Sequence, residues 1–479
     1  MIFNSVAFIL FFVVTLLLYY CLPLKYRWWW IIATGVFFYC YANPVYIIVP
    51  LFIATVTYIA ALQMQKAATE KKATSIYLLA IITNIGLLVF FKYTNFFTNT
   101  FIDVFNLFNS SNVKVSNPFL LNIAAPLGIS YITFQAIGYL IEIKKGNHEA
   151  EKHLGHFTAY LLFFPKIIAG PVERAHNFLP QLKAIKPLQY DDISIGIKQF
   201  IWGLFKKLVV ADRLSIYVNA VYNNYEHHSG ITLLVTAIFY LFQMYADFSG
   251  YTDMALGLAR MMGFNLTQNF NRPLFAKSIT EFWRKWHISL STWFADYFYN
   301  PIAIKKRDWG KWSIVYASFT TFIVLGFWHG ANWTFIIFGA MHGLLLSIEF
   351  FTRKSRKDFR KKIPAWFNSI TGIAFTCGYF ALSLIFFRAD TVTEALNILR
   401  KIITLEGRFF LVDPPTLLLS LVVIGIMYLI EFKKEFFNSA FTFSENNNWL
   451  VRSLFYSFLL IMILLTGVFD GGQFIYFQF

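Results

Sequence analysis

The sequence predicts an all-α, polytopic integral membrane protein with about eleven transmembrane helices. Three observations carry that prediction. Of the 479 residues, 57% are apolar, 20% aromatic and only 14% charged, with a mean hydropathy of +0.55, whereas soluble domains are about half apolar and about a quarter charged. The charges are unevenly spread, because long uncharged runs alternate with short basic clusters, as a chain that repeatedly crosses between lipid and water requires. Those runs also have the length of bilayer crossings, about 20 residues each.

The first run, Met1 to Leu24, has no formal charge. It lacks the basic start and the short apolar stretch of a cleaved signal peptide, so an uncleaved first helix beginning at or near Met1 is expected. Residues 28 to 65 are also uncharged, which is too long for one helix and enough for two short ones broken at Asn43 and Pro44. Further spans are expected at 75–97, 118–141, 155–171, 195–222, 230–246, 312–328, 332–350, 366–387, 412–431 and 450–469, with one or two of them re-entrant or interfacial.

The interval from Asp247 to Lys311 breaks this pattern. It is polar, aromatic and basic, and Gly250, Gly257, Gly263, Pro273 and Pro301 interrupt it. Within it Trp286, Leu290, Trp293, Phe294 and Tyr297 recur at helical spacing, while Arg284, Lys285 and Asp296 fall largely elsewhere. That predicts an amphipathic helix lying at the interface or re-entering the membrane. With no internal repeat, residues 1–479 read as one membrane domain whose central catalytic segment is 247–311.

The net charge of +16 does not imply nucleic acid, since the lysines and arginines sit between apolar spans and form no continuous basic domain. Positive-inside asymmetry explains them. The densest cluster, Arg353 to Lys362, holds seven basic residues and one acid, Asp358, which marks it as cytoplasmic and brings it near anionic membrane lipid. Cys21, Cys40 and Cys377 lie in apolar runs without ligand or redox spacing, so they are expected to be packing residues. No metal site is expected, because the adjacent pair His227 and His228 lacks a third ligand motif.

Of nine histidines, His148, His153, His156, His176, His227 and His228 fall in polar segments and read as solvated or interfacial. His329 differs. It sits inside 37 residues, Trp312 to Ile348, that contain no Asp, Glu, Lys or Arg, in the phrase Gly326, Phe327, Trp328, His329, Gly330, Ala331, Asn332, Trp333. Two helices must share this run, and the glycines place their break near the histidine. An ionisable group in such a setting is either a functional residue facing a cavity or a neutral histidine bonded across helices. With an unperturbed pKa of about 6.5, an imidazole kept neutral can accept a proton at physiological pH. His342, thirteen residues on, would project far from His329 even on one continuous helix.

His287, in the phrase Trp283, Arg284, Lys285, Trp286, His287, Ile288, Ser289, Leu290, Ser291, is the more credible companion, and interfacial otherwise. Asp247 and Asp253 close the preceding apolar run. Asp253 and Arg260, seven apart, share a helix face if the helix continues, so for Asp253 a structural charge pair competes with a place in the site, and Asp247 is the better candidate to orient a catalytic group.

These blocks carry a resemblance. Pro126 to Ser130 with Thr133, Phe134 and Gln135; Phe164 to Lys166 through Ala169 to Pro171, with Arg174; Asp247 to Asp253; Phe282 to Ser291; Gly326 to Gly330; and Phe386 to Ala389 together span most of the chain. The sequence resembles the membrane-bound O-acyltransferases, in the branch containing the alginate O-acetyltransferase membrane subunit and the D-alanyl transferase of teichoic acids. After Gln135, where relatives often show aspartate, tyrosine and arginine, this chain has Glu142, Ile143, Lys144 and Lys145.

The resemblance implies a ring of helices around a thinned core, with re-entrant or interfacial helices, in which His329 matches the family's essential histidine and His287 that of its other signature block. It further implies acyl transfer, most simply acetyl, to hydroxyls of an extracytoplasmic polysaccharide or a relay partner protein. The implied donor is acetyl-CoA or another acyl thioester, used as a substrate, with no tightly bound cofactor. Asp247, Trp286, Trp328, Asn332, Ser291 and Gln135 are the expected binding and orienting residues, in a multi-pass protein of the inner (cytoplasmic) membrane. Trp283, Trp286, Trp328 and Trp333 would wall a passage or anchor the interface. The competing readings are a glycan transporter or flippase whose intramembrane histidine relays protons, and an acyltransferase for proteins or lipids.

Overall fold

The structure, a computed structural model, describes residues 1–108, 125–405, 407–411, 414–437, 443–444, 446, 448–469 and 474–475. The polar loop Asn109–Asn117, the start of the 118–141 span and most of the tail Gly471–Phe479 lie outside them. Among the described residues eight helices are long and apolar enough to cross a membrane: Pro44–Gln65, Glu70–Lys92, Gly230–Met261, Lys311–His329, Trp333–Phe351, Ala365–Arg388, Pro414–Phe436 and Trp449–Thr466. The other predicted spans form shorter helices, among them Val6–Cys21, Arg27–Ala42 and Ile129–Lys144. The expected break at Asn43 is present: its side chain caps the Val45 amide at 3.1 Å and Pro44 opens the next turn.

The chain forms two compact units, Met1–Gln189 with Met262–Leu266, and Tyr190–Met261 with Thr267–Phe479. In the first, Phe8, Phe38 and Phe164 interlock through tilted and edge-on rings. Lys166 is fully buried there, its ammonium 3.8 Å from the Tyr160 ring centroid and donating to Gln135 Oε1 at 2.5 Å. Burial of this polar group is tolerated because the aromatic face and the amide oxygen replace its water.

The second unit is built on the helix Gly230–Met261. Its apolar window is 72% buried, against 17% for Trp449–Thr466, so the first is an axis and the second a lipid-facing wall. This helix does not end at the predicted boundary of 246 but continues through Asp247 and Asp253. The continuation is possible because Lys206 and Lys207, from a wide π-helical turn at Phe205–Ala211, neutralise both acids. Lys207 lies 2.7 Å from Asp247 and 2.8 Å from Asp212, and Lys206 lies 2.5 Å from Asp253 and donates to Ser249 Oγ at 2.9 Å. Asp253 therefore pairs with Lys206 and not with Arg260, whose partner is Asp192 at 2.8 Å. Seven residues along a helix align two side chains, but a cation on the neighbouring helix reached the acid first.

Candidate active site

His329 is the last residue of the helix Lys311–His329 and is buried, and the chain turns at once into Trp333–Phe351. The two helices meet backbone to backbone. A Cβ on Gly326 would lie 2.2 Å from the Phe335 carbonyl oxygen, and one on Gly339 would lie 2.1 Å from that of Phe322. Glycine permits this approach, as in other close helix pairs within membranes. Asn332 fixes the start of the second helix, accepting from the Thr334 amide at 3.1 Å and donating to the Asp390 carbonyl at 2.8 Å. The His329 ring is bordered by Trp328, Phe387 and Phe338, with centroids at 5.0, 5.2 and 6.2 Å.

His287 comes to the same place by a different route. The predicted amphipathic helix is two short helices, Ile279–Lys285 and Ile288–Phe294, and His287 stands at the break with φ of 44° and ψ of 53°. A left-handed conformation costs a non-glycine residue about 1–2 kcal/mol, so the surroundings must impose it. They do so through the segment Asn269–Asn271, which lies alongside. Asn271 N–H donates to the Lys285 carbonyl at 2.9 Å, Ile288 N–H donates to the Asn269 carbonyl at 2.8 Å, and Asn269 Oδ1 accepts from Ser289 N–H at 3.1 Å and Oγ at 2.8 Å. Glu435 binds both strands of this clamp, Arg272 at 2.6 Å and Lys285 at 2.7 Å.

The clamp turns the imidazole inward, where it meets Phe248 at 4.7 Å and Trp328 at 6.2 Å. Trp328 thus borders both histidines. Asp247, next to Phe248, anchors this turn of the long helix: beyond its pair with Lys207, its Oδ2 accepts from the Ile475 amide at 2.9 Å. Trp286 is buried against Phe270, Phe282 and Phe380 at 5.1 to 5.3 Å. Ser291 donates to the Trp286 carbonyl at 3.1 Å. Of the four tryptophans expected to wall a passage or anchor the interface, Trp333 alone is exposed. Gln135 lies in the first unit.

Lys207, Asp212 and Asn269 were not singled out by sequence reasoning. For the first two a signal existed: Lys206, Lys207 and Asp212 all fall inside one predicted span, 195–222, where opposite charges in lipid seek each other. His342, in contrast, is spent on structure. Trp283 Nε1–H donates to its Nδ1 at 3.3 Å, and its Nε2 lies 3.1 Å from Ser383 Oγ, whose own hydroxyl donates to the Phe380 carbonyl at 2.8 Å. Those directions specify one neutral tautomer protonated on Nε2.

A cavity of about 520 Å³ opens in the same unit. Lys198, Lys206, Arg272, Lys434 and Arg452 supply cations to its wall, and Tyr245 and Phe270 are part of its lining. Phe270 also packs on Trp286 and, at 6.5 Å, on His287, so one aromatic layer separates the cavity from the imidazole.

Residues 152–387 match the MBOAT, membrane-bound O-acyltransferase family. The chain is 31% identical over 457 residues to a peptidoglycan O-acetyltransferase of Helicobacter pylori, covering 89% of this chain and 79% of that protein. It is 36% identical over 352 residues to a probable alginate O-acetylase of Pseudomonas aeruginosa, covering 73% and 66%. Over 246 residues it is 30% identical to the teichoic acid D-alanyltransferase of Bacillus subtilis, covering 50% and 62%.

Proposed function

This chain belongs to the membrane-bound O-acyltransferase family, and on that premise we propose that it transfers an acetyl group from a thioester donor, acetyl-CoA or its chemical equivalent, to hydroxyls of an extracytoplasmic polysaccharide. The transfer is direct or passes through an acyl-accepting partner protein outside the cytoplasmic membrane, in which this chain resides. The observation that carries the reading is the convergence of His287 and His329 on Trp328, from a loop clamp and a helix break that are 42 residues apart in the chain.

In the proposed reaction His329 is the general base. It takes the proton of the acceptor hydroxyl as that oxygen attacks the thioester carbonyl. A C–O bond forms, the tetrahedral intermediate collapses with cleavage of the C–S bond, and the proton held on the imidazole passes to the departing thiolate. His287, whose ring also borders Trp328, polarises the carbonyl or stabilises the developing oxyanion. The 520 Å³ cavity supports an anionic thioester, because five cations on its wall outnumber the acids Asp253 and Glu431 and its inner wall reaches Phe270. Its basic end is cytoplasmic by the positive-inside rule.

The names of the relatives favour a cell-envelope or secreted glycan as acceptor. Mass spectrometry of surface glycans from cells with the protein, without it, and with H329Q at equal membrane abundance tests this. Loss of one class of O-acetyl ester in the last two samples is expected. Glycans unchanged in all three, with purified protein releasing no thiol from acetyl-CoA, would remove both substrate and donor.

A further inference from the structure

The second unit contains another cavity, of about 740 Å³, that the proposed reaction does not use. It lies where Lys311–His329 begins and Trp333–Phe351 ends; Ser318, on its wall, is eleven residues or roughly 16 Å along the helix from His329. The wall carries two chemistries, the cations Arg284, Arg353, Arg356, Lys357, Arg360 and Lys361 and the apolar Ile314, Leu346 and Phe350.

The cations outnumber their partners. Glu349 is the one acid on the wall. Its carboxylate is taken by the Ile279 and Thr280 amides at 3.1 and 3.0 Å and by Thr280 Oγ1 at 2.6 Å. Arg356 is held by the Glu349 carbonyl at 2.6 Å, Arg360 reaches the Lys277 carbonyl at 3.3 Å, and Lys361 pairs with Asp358 at 3.6 Å. Arg284, Arg353 and Lys357 have no acidic partner among the described residues. Around this end of the helices Trp309, Trp312, Phe351 and Phe359 are exposed, the arrangement of aromatic anchors at headgroup depth.

We propose that this cavity binds an anionic phospholipid, with Arg284, Arg353 and Lys357 on the headgroup phosphate and the acyl chains along Ile314, Leu346 and Phe350. A ligand that is anionic at one end and apolar at the other meets both sets of side chains, and at headgroup depth a lipid is the abundant molecule of that chemistry.

The test uses the full chain in nanodiscs of phosphatidylcholine and phosphatidylglycerol, with retained lipids counted by native mass spectrometry. Wild type is expected to hold phosphatidylglycerol about tenfold over phosphatidylcholine, and R353Q/K357Q to lose most of that preference. K305Q/R307Q, which removes two cations absent from the cavity wall, is expected to keep it. No preference in wild type, or equal loss in both double variants, overturns the proposal. Displacement of the lipid by millimolar glycerol phosphate alone overturns the lipid assignment in favour of a soluble phosphate. If R353Q/K357Q does not fold, R284Q provides the same reading.

Discussion

His329 and His342 lie on the same uncharged stretch, thirteen residues apart, and their surroundings have opposite characters. His342 is in mid-helix, with Trp283 and Ser383 on its two ring nitrogens in a fixed tautomer. His329 is at a helix end, where the chain turns, with the rings of Trp328, Phe387 and Phe338 around it and with His287 across Trp328. A buried histidine is not a catalyst by virtue of burial. Trp283 and Ser383 already fix the His342 proton, which makes that residue a strut.

Substitution can break this contrast. The largest effect is expected from H329Q, a fall in kcat of at least about a hundredfold at unchanged membrane abundance, because no other group replaces the base. Turnover near wild type would end the contrast. H287A is expected to lower kcat by roughly ten- to a hundredfold with KM little changed, as for a group that acts on the transition state; an effect confined to KM would make it a binding residue.

A smaller effect, about tenfold on kcat, is expected from N269A. It removes the acceptor for Ser289 and slackens the clamp that holds His287 left-handed, without touching either imidazole's chemistry. If kcat is unchanged, His287 holds its conformation without the clamp. The smallest effect on turnover, within about twofold, belongs to H342Q. Its cost should appear in stability, about 1–3 kcal/mol, as a lower midpoint of thermal unfolding in detergent, since Trp283 and Ser383 lose buried partners. A fall in kcat matching that of H329Q would place His342 in the reaction.

Legibility in the sequence follows the same division. The unusual setting of His329 could be read directly, because an ionisable residue in 37 uncharged positions is a local anomaly. The break beside it was marked by glycines, and the structure gives their reason in the carbonyls of Phe322 and Phe335. The segment after Asp247 was recognisable as unusual, yet its single amphipathic helix is two, because periodicity reports side-chain faces and is blind to a backbone clamp from residues 269–271. Asp253 was matched to the wrong cation for a similar reason: helical spacing names neighbours on one helix, and the partner was on another.

That this chain crosses the membrane repeatedly, where most of its spans run, and that His329 lies among uncharged neighbours can be read from the residues alone. Each of these depends on transfer of side chains between water and lipid, which acts residue by residue. Packing across the chain is needed to show that Lys207 and the Ile475 amide, the latter 228 residues away, hold Asp247, that a strained His287 faces Trp328, and that His342 is saturated. Those arrangements arise from distant segments competing for the same buried hydrogen bonds, and which one wins depends on packing that no local pattern encodes.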